Sequence, residues 1–114
     1  MEALMILMTL REICNLSGVT RRAVQGYEKH GLVKAVKTNK YGHLLYDKKG
    51  LERIIQIKLF QRFGYSLNEI EILVVASDQE LKISLQKKLK ILEQKLEETD
   101  ELIAKLQEMI EELK

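Results

Sequence analysis

The sequence predicts a mostly α fold: a winged helix-turn-helix head followed by one long C-terminal coiled-coil dimerisation helix. Three observations predict it. Leu85, Leu89, Leu92, Leu96, Thr99, Ile103, Leu106, Ile110 and Leu113 recur at alternating spacings of four and three, a heptad seam with one polar interruption. Three S/T-x-x-E boxes, at Thr9–Glu12, Ser66–Glu69 and Ser77–Glu80, each precede an apolar helical period and so mark helix starts. The 114 residues include no Pro, which leaves helices uninterrupted.

The elements follow in order. Residues 1–8 (MEALMILM) are apolar, too short to span a membrane, and lack the basic start of a signal peptide. Met5 and Met8 are alternative starts to Met1. Thr9 opens a short helix that offers Leu10, Ile13, Cys14 and Leu16 to a core; Gly18 ends it and Val19 plugs the turn. Thr20 caps a second helix over 21–30, stopped by Gly31. Two short helices joined by a Gly-containing turn make a helix-turn-helix. Lys34, Lys37 and Lys40 then space out apolar residues, Asn39-Lys40-Tyr41-Gly42 is a turn cluster, and Leu44–Tyr46 reads as a return strand. That stretch is a two-stranded hairpin, or wing. Asp47 caps a third helix with Leu51, Ile54, Ile55, Lys58, Leu59 and Phe63 at helical spacing, and Gly64 closes it. The Ser66 box opens a fourth helix to about Ala76, and the Ser77 box opens the tail. The expected domains are a DNA-binding head over 8–76 and a dimerisation helix over 77–114.

Net charge is only +2, but it is unevenly divided. Residues 1–78 carry 12 Lys+Arg against 8 Asp+Glu, and residues 79–114 carry 7 against 9. The basic excess is modest and does not by itself establish a nucleic-acid partner; what it shows is that the positive charge lies in the head rather than the tail. A single cysteine, Cys14, forms no internal disulfide and suits a reducing cytoplasm. At an apolar helix position it reads as a core thiol. His30 and His43 are too few and too separated for a metal site, so neither metal nor cofactor is expected. No carboxylate pair, nucleophile–base set or Gly-rich phosphate loop stands out, so no catalytic residues and no enzyme are expected.

Arg21 and Arg22 open the second helix, the end that meets base edges in a helix-turn-helix. Cations there oppose the helix dipole, while an Arg can hold guanine O6 and N7 with two bonds. Gln25 lies one turn on and carries two readings, a pair with adenine or a plain surface side chain, and Thr20 sits at the same helix end. Tyr27 carries two readings: a ring in the core, or a hydroxyl on phosphate. Gly26 is either a tolerated defect, at about 1 kcal/mol against Ala, or a point of close approach. Lys37, Lys40, Tyr41 and His43 cluster on the wing, where phosphate contact is the expected role.

A lone helix cannot bury the tail seam, so it calls for a second helix, most simply its own copy. With Leu85 at d, Glu93 and Asp100 fall at e while Lys88 and Lys95 fall at g. Those charges favour a parallel pair. Leu81, Ile83, Ile91, Leu102 and Met109 widen the stripe, as if the tail also touches a head.

The order of parts resembles the MerR family of bacterial transcription regulators. The matching residues are Leu10-Arg11-Glu12-Ile13, Ser17-Gly18-Val19-Thr20, Tyr27-Glu28-Lys29-His30-Gly31-Leu32, Gly42, Tyr46, Leu51-Glu52-Arg53 and Phe63 through Ile70. The resemblance implies a homodimer through an antiparallel coiled coil, against the charge pattern. It implies a second helix in the major groove, a wing along the phosphate backbone, and a distorted promoter that RNA polymerase can then use. Three departures stand out. Gln25 and Gly26 occupy positions where the family carries an Arg and an aromatic. Gly42-His43-Leu44-Leu45-Tyr46 replaces Gly-Tyr-Arg-x-Tyr, and the Pro after Gly-Leu-Leu is absent. An Arg that would face phosphate is thus missing from both elements, and Lys37, Lys40 and the Arg21-Arg22 pair are the residues able to compensate. Metal-sensing members carry cysteines where Val75-Ala76-Ser77-Asp78 stands, and drug-sensing members carry a further domain beyond the coiled coil. The expectation is a short form without an effector domain. The alternative is a phage-type assembly or excision factor whose winged head binds protein and whose coiled coil recruits a partner; salt-sensitive duplex binding separates the two.

Overall fold

A computed structural model describes residues 6–113. The alternative starts Met1 and Met5 lie outside the described residues. The chain divides into two units at the Val75/Ala76 junction.

The head runs β1 (Met8–Thr9), α1 (Leu10–Ser17), α2 (Arg21–Lys29), β2 (Lys37–Thr38), β3 (Leu44–Tyr46), α3 (Lys48–Phe63) and α4 (Leu67–Leu73). Thr9 starts α1 through a complete capping box: its hydroxyl accepts from the Glu12 amide at 3.2 Å, and its own amide donates to Glu12 Oε1 at 3.0 Å. Those two bonds to Thr9, the backbone one foremost, hold the Glu12 carboxyl below its usual range. Gly18 ends α1 in the left-handed region at φ 72°, with its N–H on Cys14 O. Lys58 of α3 does not join an apolar stripe. Its Nζ donates to the Ser17 and Gly18 carbonyls at 3.4 and 3.2 Å, a cation at the C-terminal end of α1.

The wing is part of a three-stranded antiparallel sheet of order β1-β3-β2, not a two-stranded hairpin alone. Met8 pairs with Tyr46 and Thr9 with Leu45; Lys37 pairs with Leu45 and Thr38 with Leu44. A two-residue strand directly ahead of a helix cap is too short to show alternation. Burial of Met8 against the enclosed Tyr46 is what holds it there.

Ile13, Val24, Tyr46, Ile54, Ile57 and Ile70 are fully buried and form the centre of the head. On α3 the buried line is Ile54, Ile57 and Phe60, while Ile55 and Leu59 are 48% and 46% exposed. The helix is apolar on two sides, and spacing by four picks the outer one. Phe60 meets the Tyr65 ring edge-on at 5.9 Å, which anchors the turn after Gly64. Two further expectations change: Leu16 is 62% exposed, and Cys14 is only half-buried. The Ser66 box is complete, but α4 stops at Leu73 rather than near Ala76. Ser77 must be extended (φ −67°, ψ 159°) to cap the next helix, so the chain leaves α4 beforehand.

The second unit is α5 (Asp78–Glu112), 35 residues long, which spans about 50 Å. The Ser77 hydroxyl accepts from the Glu80 amide at 3.2 Å but donates to Glu80 Oε1 at 2.9 Å, so this box is only half of the expected reciprocal pair. No residue of α5 is buried.

Candidate DNA interface

Thr20 acts as the N-cap of α2, its hydroxyl accepting from the Ala23 amide at 3.0 Å. That cap orders the first turn, from which Arg21 and Arg22 project into solvent. Among the described residues neither guanidinium makes an ion pair, and α2 has no acidic residue in its first turn. Gln25 is exposed one turn later, and Gly26 has nothing within 4 Å of where a Cβ would stand. Space therefore does not demand the glycine.

Tyr27 falls on the other side. Its ring is buried and its hydroxyl donates to Gln61 Oε1 at 2.8 Å. Burial pushes the phenol pKa up. A donor already engaged inside the head is not available to phosphate, so the core reading describes Tyr27. Gln61 was not legible as its partner because it lies on α3.

The wing tip is braced from within. Asn39 Oδ1 accepts from the Tyr41 and His43 amides at 2.9 and 3.0 Å, and the Gly42 amide donates to Asn39 O at 3.0 Å. Gly42 takes φ 82°, which an L side chain rarely adopts. Lys40 Nζ lies 5.1 Å from the Tyr41 ring centre, and the His43 ring is 6.3 Å from the same ring. Tyr41 is 72% exposed, and Lys37 and Lys40 are exposed beside it. Cations and an aromatic thus sit on a stiff projection. At its root, Arg21 and His43 line one cleft together with Arg11 of α1, a residue to which the sequence assigned no DNA contact.

The seam residues Leu85, Leu89, Leu92, Leu96, Thr99, Ile103, Leu106, Ile110 and Leu113 run along α5, Leu113 as its C-cap. Leu96, Ile110 and Leu113 are 63%, 66% and 83% exposed, an apolar line with no cover inside its own unit. Among the described residues no group of three or more His, Cys, Asp or Glu is placed to hold a metal ion, and no helix is long and apolar enough to cross a membrane.

A capped helix with a bare basic first turn, a braced wing and a long exposed heptad helix define a DNA-binding transcription regulator. Residues 8–76 match the MerR HTH family regulatory protein pattern and residues 51–114 the MerR DNA-binding pattern. The chain belongs to the MerR family. It is 37% identical over 59 residues to nodulation protein NolA of Bradyrhizobium elkanii, covering 52% of this chain but 27% of that protein. It is 28% identical over 106 residues to a probable heavy metal-dependent transcriptional regulator of Haemophilus influenzae, covering 88% of this chain and 83% of that protein. A MerR-family regulator from Bacillus cereus of known structure superposes with a TM-score of 0.69 at 30% identity, over 93% of this chain and 79% of that one.

Proposed function

We propose that this MerR-type regulator binds a pseudo-palindromic promoter element as a homodimer, in the cytoplasm, and presents the distorted promoter to RNA polymerase. The observation that carries the DNA reading is the exposed, unpaired Arg21–Arg22 turn beside the braced wing. The uncovered heptad line on α5 supports the dimer, because a twofold pair presents two equivalent recognition helices. Arg22 and Gln25 are assigned to base edges, and Lys37, Lys40, Tyr41 and His43 to the backbone. No residue is assigned to catalysis.

Selection from a random duplex pool tests this. The expected product is two inverted half-sites whose centres lie about 34–36 Å apart or a multiple of that. Arg22→Ala should cost about 1–3 kcal/mol on the selected duplex and much less on random DNA. Lys40→Ala should weaken both equally and lower the salt slope by about 0.9. Equal effects of the two substitutions on both duplexes would remove this division of labour. Salt-independent or absent duplex binding would favour the protein-interaction alternative.

A further inference from the structure

At the root of the wing lies a cleft of 470 Å³ whose walls include Thr9, Arg11, Arg21, Gly42, His43 and Leu44. Three elements converge on it: the first turn of α1, the first turn of α2 and the β2–β3 turn. The pairing of Thr9 with Leu45 is what brings α1 to the wing, since Arg11 follows Thr9 by two residues. We propose that this cleft holds a phosphate group of the DNA backbone between the Arg11 and Arg21 guanidinium groups, with His43 as a third donor. The proposal rests on the DNA-binding reading and adds Arg11 to the interface. It also explains how the chain manages without the arginine that its wing lacks: the charge is carried on α1, across the strand pair.

The physical case has three parts. Neither Arg11 nor Arg21 makes an ion pair among the described residues. Both occupy the first turn of a helix, where a cation opposes the dipole and weakens the helix unless an anion sits beside it. Among the described residues no acidic side chain lines the cleft, and the neighbouring Glu12 carboxylate is turned onto the Thr9 amide. Two arginines lining one cleft suit a tetrahedral oxyanion, which can accept from both guanidinium groups.

The test uses the full chain and the dependence of binding on salt, on a selected and a random duplex. Arg11→Ala should lower the slope of log K against log salt by about 0.9 on both duplexes and leave base preference unchanged. Its melting temperature should hold or rise, because a cation leaves a helix N-terminus. Arg11→Lys should restore the slope but only part of the affinity, since an ammonium lacks the fork. Lys105→Ala on α5 removes the same charge elsewhere and should leave the slope alone. Replacing backbone phosphates one at a time by methylphosphonate should reveal one position that weakens the native chain but not Arg11→Ala. A native slope in Arg11→Ala overturns the proposal while leaving DNA binding intact; failure of the native chain to bind duplex defeats the reading beneath it. Inorganic pyrophosphate supplies the last arm. If it raises the melting temperature of the native chain and Arg11→Ala keeps the native slope, the cleft serves a free phosphate and the backbone assignment falls.

Discussion

Two tyrosines show how single residues hold the helix-turn-helix to its support. Tyr46 is fully enclosed, yet its hydroxyl donates to Glu28 Oε1 at 2.6 Å, while Tyr27 donates to Gln61. Each satisfies a polar group at the edge of the core and ties α2 to the sheet or to α3. Burial first, then the Glu28 carboxylate, drives the Tyr46 phenol far above its ordinary value near 10. The folded state therefore favours the neutral phenol. Its contribution is complete below about pH 10 and is lost as pH rises from there toward the folded value. Tyr46→Phe should cost about 1 kcal/mol at pH 8, leaving Glu28 half-buried without this donor. Urea unfolding of both chains at pH 8 and pH 10.5 checks this: the gap should narrow at the higher pH. A gap independent of pH would mean that the folded state does not hold the Tyr46 phenol neutral. The caps were legible at this scale because Thr9, Thr20, Asp47 and Ser66 act on amides three residues away. Tyr27 was not, because its partner is 34 positions distant and only tertiary packing joins them.

At the scale of elements, local rules read starts well and faces poorly. The α3 stripe was misread because Ile55 and Leu59 are as apolar as Ile54 and Ile57, and only the neighbours decide which side is covered. β1 was missed because its pairing with β3 leaves no periodic trace in two residues. The Arg11 cleft went unseen with it. For α5 the periodicity was clear and the orientation was not. The Lys88, Lys95, Glu93 and Asp100 charges favour a parallel pair, whereas the family resemblance implies an antiparallel one. In an antiparallel pair with Thr99 opposite Leu96 of the second chain, every seam residue from Leu85 to Ile110 meets a seam residue. Leu85 then faces Ile110, Leu89 faces Leu106 and Leu92 faces Ile103. Lys88 lies across from Met109 and Lys95 from Leu102, so lysine stems cover apolar g positions. The opposing term is Glu93 beside Asp100, an exposed like-charge pair worth about 0–1 kcal/mol. Cross-linking decides between the two. In a Cys14→Ala background, an equimolar mixture of Leu96→Cys and Thr99→Cys chains should oxidise to the mixed covalent dimer. Thr99→Cys alone should cross-link poorly, because its own copy lies beyond disulfide reach. Efficient cross-linking of Thr99→Cys to itself would establish the parallel arrangement.

For the whole molecule, the proposed dimer, with DNA contacts on the head and association on the tail, would make binding a problem of two linked events. Each head presents one recognition helix, and one half-site supplies few contacts. Joining two heads turns the second engagement into an intramolecular one, at an effective concentration in the millimolar range. In the proposed dimer the heptad line on α5 supplies that linkage, so operator affinity should depend on residues far from DNA. Leu96→Asp combined with Ile103→Asp places two carboxylates in the seam, where burial would cost several kcal/mol apiece or force them apart. The expected result is a monomer by sedimentation, because those charges remain solvated when the helices separate. Affinity for the selected two-half-site duplex should fall by about 10²–10⁴-fold, the range that linkage contributes. Binding to a single half-site, compared per head, should be unchanged, since neither residue belongs to the head. The salt slope on the full site should also drop by about half, as one head's phosphate contacts are lost. A chain with both substitutions that still sediments as a dimer would place the association in the head. A monomer that kept full operator affinity would show instead that one head suffices, and the palindrome would then have no physical basis.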